Sequence, residues 1–155
     1  MVDWRSVHQT LVEGFAASWD KPHPRAWDDF LVEDVELNQP LIPKIRGRRK
    51  WWEESGRLLA LLPDLRSDVV GWSGCDDILF IEHRFSATVG RIPAQIPAVD
   101  KIWMTESGKV LRRDAFFDPL PFAQLVLRQP SAWLPWWRSG LEPLAARRRF
   151  RTNRA

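Results

Sequence analysis

The stretch that decides the fold lies in the last third of the chain and reads Val99-Asp100-Lys101-Ile102-Trp103-Met104, then Glu106-Ser107-Gly108-Lys109-Val110, then Ala115-Phe116-Phe117-Asp118-Pro119. Aliphatic and aromatic residues precede a short polar segment with one glycine and resume after it, which predicts two strands joined by a tight turn. The Asp-Pro pair ends the second strand, because proline cannot donate a hydrogen bond to a central strand.

The residues before this stretch predict a small α+β domain. Apolar residues recur at helical spacing over residues 3–19 and 47–62, and a short helix is predicted over residues 25–31. Runs rich in β-formers predict strands over residues 35–39, 65–72, 78–89, 96–104 and 109–117. Short turns between consecutive strands imply an antiparallel, curved sheet, covered by about three helices.

The C-terminal part is rich in tryptophan, proline and arginine. We divide the chain into a domain (residues 1–128), a Trp/Pro-rich arm (129–146) and an Arg-rich tail (147–155). The arm is predicted to pack on the domain or across a dimer. Its indoles at Trp133, Trp136 and Trp137, next to arginines, also suit the headgroup layer of a membrane, which leaves peripheral membrane association as an alternative.

Composition excludes several classes of function. Five of the 23 basic residues fall in the tail, and acidic residues outnumber basic ones in the rest of the chain, so no nucleic-acid surface is expected. Cys75 is the only cysteine and the three histidines are far apart in sequence, so neither a disulfide within the chain nor a metal site is predicted. We expect a cytoplasmic protein, because the N-terminus lacks the pattern of a signal peptide.

The predicted order of elements and the ending of the chain resemble the nuclear transport factor 2-like superfamily and its SnoaL-like members, which include ketosteroid isomerases and limonene-epoxide hydrolases. The resemblance covers roughly residues 3–122. It implies that the curved sheet forms a cone around one small-molecule pocket and that no cofactor is needed. Because members share the pocket and not the reaction, function depends on the residues at named positions.

Two of the three residues that catalyse steroid isomerisation are replaced in this sequence. Alignment with ketosteroid isomerases places the oxyanion aspartate on Asp100, the tyrosine on Phe15 and the basic aspartate on Gln39. Phe15 cannot donate a hydrogen bond, Gln39 is not a base, and the chain has no tyrosine. Ordinary steroid isomerisation is therefore not expected.

Limonene-epoxide hydrolases suggest a second set of candidates. Their Arg-x-Asp pair falls on Arg84-Phe85-Ser86, which keeps only the arginine. Their second aspartate falls on Ala115, and a register slip of one residue would bring Asp114 into its place. On this comparison, the catalytic candidates are Asp100, Arg84 and Asp114.

The period of two along strands predicts which residues surround Asp100. If Asp100 points inward, the pocket also receives Met104, Glu82, Ser86, Arg113 and Phe117, while Trp19 and Trp52 are placed at its mouth. Glu82 and Arg84 would either orient a ligand or pair with each other. Arg113 favours the ionised form of Asp100 whereas burial favours the protonated form, and the sequence leaves both open.

The resulting hypothesis is a cofactor-independent isomerase-, cyclase- or hydrolase-like enzyme acting on a small hydrophobic molecule. A non-catalytic ligand-binding or dimerisation module is the alternative. We expect a homodimer, because an outward stripe is predicted to be too apolar for water: Ile81, His83, Phe85 and Val89.

Overall fold

A computed structural model describes residues 2–139, and this part of the chain forms a six-stranded sheet with four helices. The predicted α+β class is confirmed. The elements in chain order are α1 (Trp4–Ser18), β1 (Leu31–Gln39), β2 (Ile42–Arg46), α2 (Arg48–Leu61), β3 (Arg66–Cys75), β4 (Ile78–Val89), β5 (Ile92–Met104), β6 (Val110–Phe116), α3 (Leu120–Arg128) and α4 (Pro130–Ser139).

The sheet is mixed, with strand order β2-β1-β6-β5-β4-β3. The prediction of a purely antiparallel sheet is wrong at one place, because β1 and β6 run parallel and pair Leu37 with Arg113. These two strands are far apart in sequence, so no turn motif between them predicts their pairing. The predicted short helix is also wrong, because residues 24–30 form turns. Strand β2 lies in a segment for which no element was predicted.

The helices cover one face of this open, curved sheet and bury it. Helix α1 begins at an N-cap, where Asp3 accepts a hydrogen bond from the backbone N–H of Ser6, and it buries Leu11 and Phe15. The sheet contributes Leu79 and Ile81, which have no exposed surface. This arrangement matches the predicted cone, with the core between the helices and the concave face.

Helix α4 places the described part of the arm against the domain. Trp136 is buried and its ring lies 5.4 Å from that of Phe122, whereas Trp133 and Trp137 are exposed. Residues 140–146 of the predicted arm and the whole Arg-rich tail lie outside the described residues. Among the described helices, none has both the length and the apolar character that a membrane span requires.

Candidate functional site

The concave face and the helices enclose a cavity of about 120 Å³. Its lining side chains are apolar apart from Gln39, Arg113 and the tryptophans, whose indoles each carry one N–H. Aromatic rings form much of the rest: Phe15, Trp19, Trp27, Trp51, Phe85 and Trp136. A dry apolar cavity of roughly 150 Å³ binds benzene in another protein, so this space suits a molecule of about one ring.

Gln39 and Phe117 mark the boundary between this cavity and the outside. Both also line a second, more open pocket of about 500 Å³, together with Pro40 and Asn38. A ligand that passes through this pocket would meet Gln39 first, and Arg113 lies behind it. The polar end of the cavity is therefore the end nearest the open pocket.

Arg113 is held in place by two hydrogen bonds. Its Nε donates to Asp100 Oδ2 at 2.6 Å and its Nη1 donates to Gln39 Oε1 at 3.0 Å. Strands β1 and β6 pair Leu37 with Arg113, which places the side chains of Gln39 and Arg113 next to each other. The polar end of the cavity therefore depends on a parallel strand pair that was not predicted from the sequence.

Asp100 is fully buried behind Arg113 and is an anion. Burial raises its pKa, but the charge of Arg113, the hydrogen bond that Arg113 donates and the nearby His83 ring outweigh this and hold the pKa of Asp100 below its ordinary value. Of the two protonation states left open by the sequence, the ionised one is therefore supported. Asp100 does not itself line the cavity.

His83 lies on the inner face beside Asp100. Its Nδ1 is 2.7 Å from Ser67 Oγ, and its Nε2 is 3.3 Å from Asp100 Oδ1 with poor hydrogen-bond alignment. Its side chain has no exposed surface, so the prediction that His83 points outward is wrong. Ser67, His83, Asp100, Arg113 and Gln39 form one polar row across the concave face.

The residues of β4 were misplaced because the wrong alternate set of side chains was assigned to the inner face. Asp100 pairs with Ile81, and residues directly opposite each other share a face. Ile81, His83, Phe85 and Val89 therefore point inward, and the predicted outward stripe is wrong. Glu82, Arg84 and Ser86 point to the convex face, away from the cavity, because a shift of one residue turns every side chain over.

The remaining candidates are distributed between the cavity wall and other places. Asp114 lies on the convex face, where Arg112 binds it, so the alternative register that would bring Asp114 inward does not occur and Ala115 faces inward, as the alignment placed it. Met104 is buried but does not line the cavity. Trp52 donates to Asp28 outside it, and the neighbouring Trp51 lines it instead.

Five of the predicted pocket residues do meet at the cavity: Phe15, Trp19, Gln39, Arg113 and Phe117. Sequence reasoning missed Trp51, Ser67 and His83. Trp51 lies seven residues before Leu58 and eleven before Leu62, a helical spacing that could have placed it on the inner face. Within residues 2–139, no three His, Cys, Asp or Glu side chains are grouped as metal ligands.

Comparisons with known proteins agree with this fold. A candidate SnoaL-like polyketide cyclase from Jannaschia sp. superposes with a TM-score of 0.68 at 14% identity, over 80% of this chain and 96% of that one. A ketosteroid isomerase-like protein from Catenulispora acidiphila, in complex with trimethylamine, gives 0.67 at 15% identity, over 79% and 95%. TerC, co-crystallised with polyporic acid, gives 0.70 at 17% identity, over 78% and 98%.

The sequence itself carries the family assignment. No curated protein sequence matches the chain. The SnoaL-like domain family, however, matches residues 12–113, a segment that contains α1 from its third turn, the first five strands and Arg113. The chain therefore belongs to the SnoaL-like domain family.

Proposed function

We propose that the protein is a cofactor-independent isomerase- or cyclase-like enzyme whose substrate is a small, mostly apolar carbonyl compound of about one ring. The observation that carries this proposal is Arg113, a cationic side chain in a mostly apolar cavity wall. Its side chain is 12% exposed and fixed by Asp100 and Gln39. Because the charge of Arg113 is already balanced by Asp100, its remaining N–H groups suit a neutral acceptor such as a carbonyl oxygen better than a second anion.

The chemistry follows from where charge develops. When a proton leaves the carbon next to a carbonyl, negative charge moves to the oxygen, and a fixed donor in a low-dielectric site stabilises that enolate. The two hydrogen bonds to Arg113 keep it oriented, so little reorganisation is needed. Among the described residues, Asp100 is the carboxylate that contacts Arg113. Its Oδ1 accepts no hydrogen bond within residues 2–139 and would receive the proton while Oδ2 stays bound to Arg113, and the neutral acid would then return the proton to the substrate.

A non-catalytic ligand-binding module is the second candidate. It is favoured by Phe15 and Gln39, which occupy the donor and base positions of ketosteroid isomerases without their chemistry, and by the complete burial of Asp100. Binding alone needs only the apolar wall and the donors at its polar end.

Proton exchange separates the two candidates. Acetophenone is incubated with the protein in D₂O, and loss of its methyl-proton signal is followed by NMR while binding is measured by thermal stabilisation. Arg113→Lys keeps the charge but loses the planar fork, and Arg84→Lys makes the same change on the convex face as a matched control.

We expect the wild type and Arg84→Lys to bind acetophenone and accelerate exchange, and Arg113→Lys to lose most of the acceleration. Binding without exchange would reject the enzyme and leave the binding module. Absence of binding, or equal behaviour of the two lysine variants, would reject the role of the cavity and of Arg113.

A further inference from the structure

Two indoles that line the cavity each have an N–H group without an acceptor among the described residues. Trp19 and Trp51 are 7% and 8% exposed, both line the cavity, and the Nε1 atom of each is buried without a hydrogen-bond partner among residues 2–139. Other indoles are paired, since Trp52 donates to Asp28 and Trp133 donates to the carbonyl oxygen of Val126. A buried donor left unpaired is rare and unfavourable, so these two require an explanation.

The surrounding side chains cannot supply the acceptor. Trp19 and Trp51 both pack edge-on against Trp27, with ring centroids 5.2 and 5.3 Å from it, and Trp19 also contacts Phe85 and Phe15 in the same manner. These neighbours offer ring faces, which are only weak acceptors. The packing also restricts rotation of Trp19, which contacts three rings, and Trp51 is held against Trp27.

We propose that Trp19 and Trp51 form a second polar subsite in the cavity, which binds a second acceptor atom of the ligand. This inference rests on the proposed function, in which Arg113 holds the first oxygen. The substrate class is thereby narrowed to a single ring that bears acceptors at two positions, such as a hydroxy ketone or a dione. A pure hydrocarbon would fill the same space but leave both indoles unpaired.

Benzonitrile and phenylacetylene test the subsite directly. They are nearly identical in shape, but only the nitrile nitrogen accepts a hydrogen bond. Their affinities are measured by calorimetry for the wild type, for Trp19→Phe and Trp51→Phe, which remove the N–H, and for Trp103→Phe, which removes an indole N–H on the convex face. Each Phe variant enlarges its site equally for both compounds, so the ratio of affinities isolates the hydrogen bond.

We expect the wild type and Trp103→Phe to bind benzonitrile roughly 3- to 10-fold more tightly than phenylacetylene, the range of one net hydrogen bond. The ratio should fall to near 1 in Trp19→Phe, in Trp51→Phe or in both. A nitrile preference that survives in both cavity variants would place the nitrile on Arg113 and overturn the subsite. Equal binding of both compounds to the wild type would also overturn it, while leaving the cavity in place. Binding of neither compound would overturn the proposed function and the subsite together.

Discussion

Removal of the Asp100 carboxylate should destabilise the protein strongly. Asp100→Leu leaves Arg113 with a buried charge and without its 2.6 Å partner. Breaking a buried ion pair in this way costs about 3–5 kcal/mol of unfolding free energy. For a chain of this length that corresponds to a fall in melting temperature of roughly 6–20 °C. Asp100→Asn, which keeps an oxygen acceptor for Arg113, should lose less.

Urea unfolding at pH 7, followed by circular dichroism, measures these losses. Asp114→Leu is the matched control, because Asp114 also accepts a 2.6 Å bond from an arginine. Arg112, its partner, is 44% exposed and can turn to water, so the control should lose much less stability than Asp100→Leu. The double variant Asp100→Leu/Arg113→Met removes both charges and should be more stable than Asp100→Leu alone.

The pH dependence has a definite sign. The pKa of Asp100 is lower in the folded state than in the unfolded chain, where an aspartate titrates at about 3.9. The stability that its ionised form contributes is therefore fully present above about pH 4 and is lost as pH falls through the folded-state value. The stability gap between the wild type and Asp100→Asn should narrow only below about pH 4.

Either of two results would refute this account of Asp100. One is a loss for Asp100→Leu no larger than that for Asp114→Leu, which would mean that the buried pair is not coupled. The other is a gap between the wild type and Asp100→Asn that narrows as pH rises from 5 to 8, which would mean that Asp100 is protonated at pH 5 and has a raised pKa.

Two further predictions concern the arm and the convex face. Trp136→Ala removes a buried indole from the cavity wall and should cost about 3 kcal/mol in urea unfolding, whereas Trp137→Ala, at 85% exposed, should stay within about 0.5 kcal/mol of wild type; equal losses would show that α4 does not pack as described. We also predict a homodimer, now through the exposed convex-face residues Phe80, Val99 and Phe116. Light scattering should give twice the 18.1 kDa chain mass, and Phe116→Asp should reduce the measured mass to that of one chain. A monomeric wild type at micromolar concentration would contradict this.

Local patterns were sufficient to predict most of the fold. Apolar spacing located α1 and α2, and β-forming runs located β3 to β6 within a few residues of their bounds. Contacts between distant segments were beyond the same reasoning. The parallel pairing of β1 with β6 depends on a connection that passes through β2, α2 and three strands, and no residue type marks it. The family resemblance supplied the cone, which local patterns alone did not imply.

Site residues were predicted correctly where the prediction did not depend on which side of a strand faces the cavity. The prediction was wrong for β4, where it did. Phe15 and Gln39 were placed by alignment with related pockets, and both line the cavity. Glu82 and Arg84 were placed by counting along β4 without knowing which residue faces Asp100. The pairing Ile81↔Asp100 shows that the odd-numbered residues of β4 face the cavity side. His83 and Phe85 therefore lie where Glu82 and Arg84 were predicted.

The retention of a charged pair behind an apolar cavity is itself an argument about function. Well-packed apolar residues often replace a buried ion pair with no loss of stability, so stability alone gives weak grounds for Asp100 and Arg113. Asp100 instead accepts from Nε and Gln39 accepts from Nη1, and these two bonds hold the guanidinium at the cavity wall. The double variant separates these roles: if it folds as stably as the wild type yet no longer distinguishes acetophenone from ethylbenzene, the pair serves to position Arg113 for a ligand oxygen.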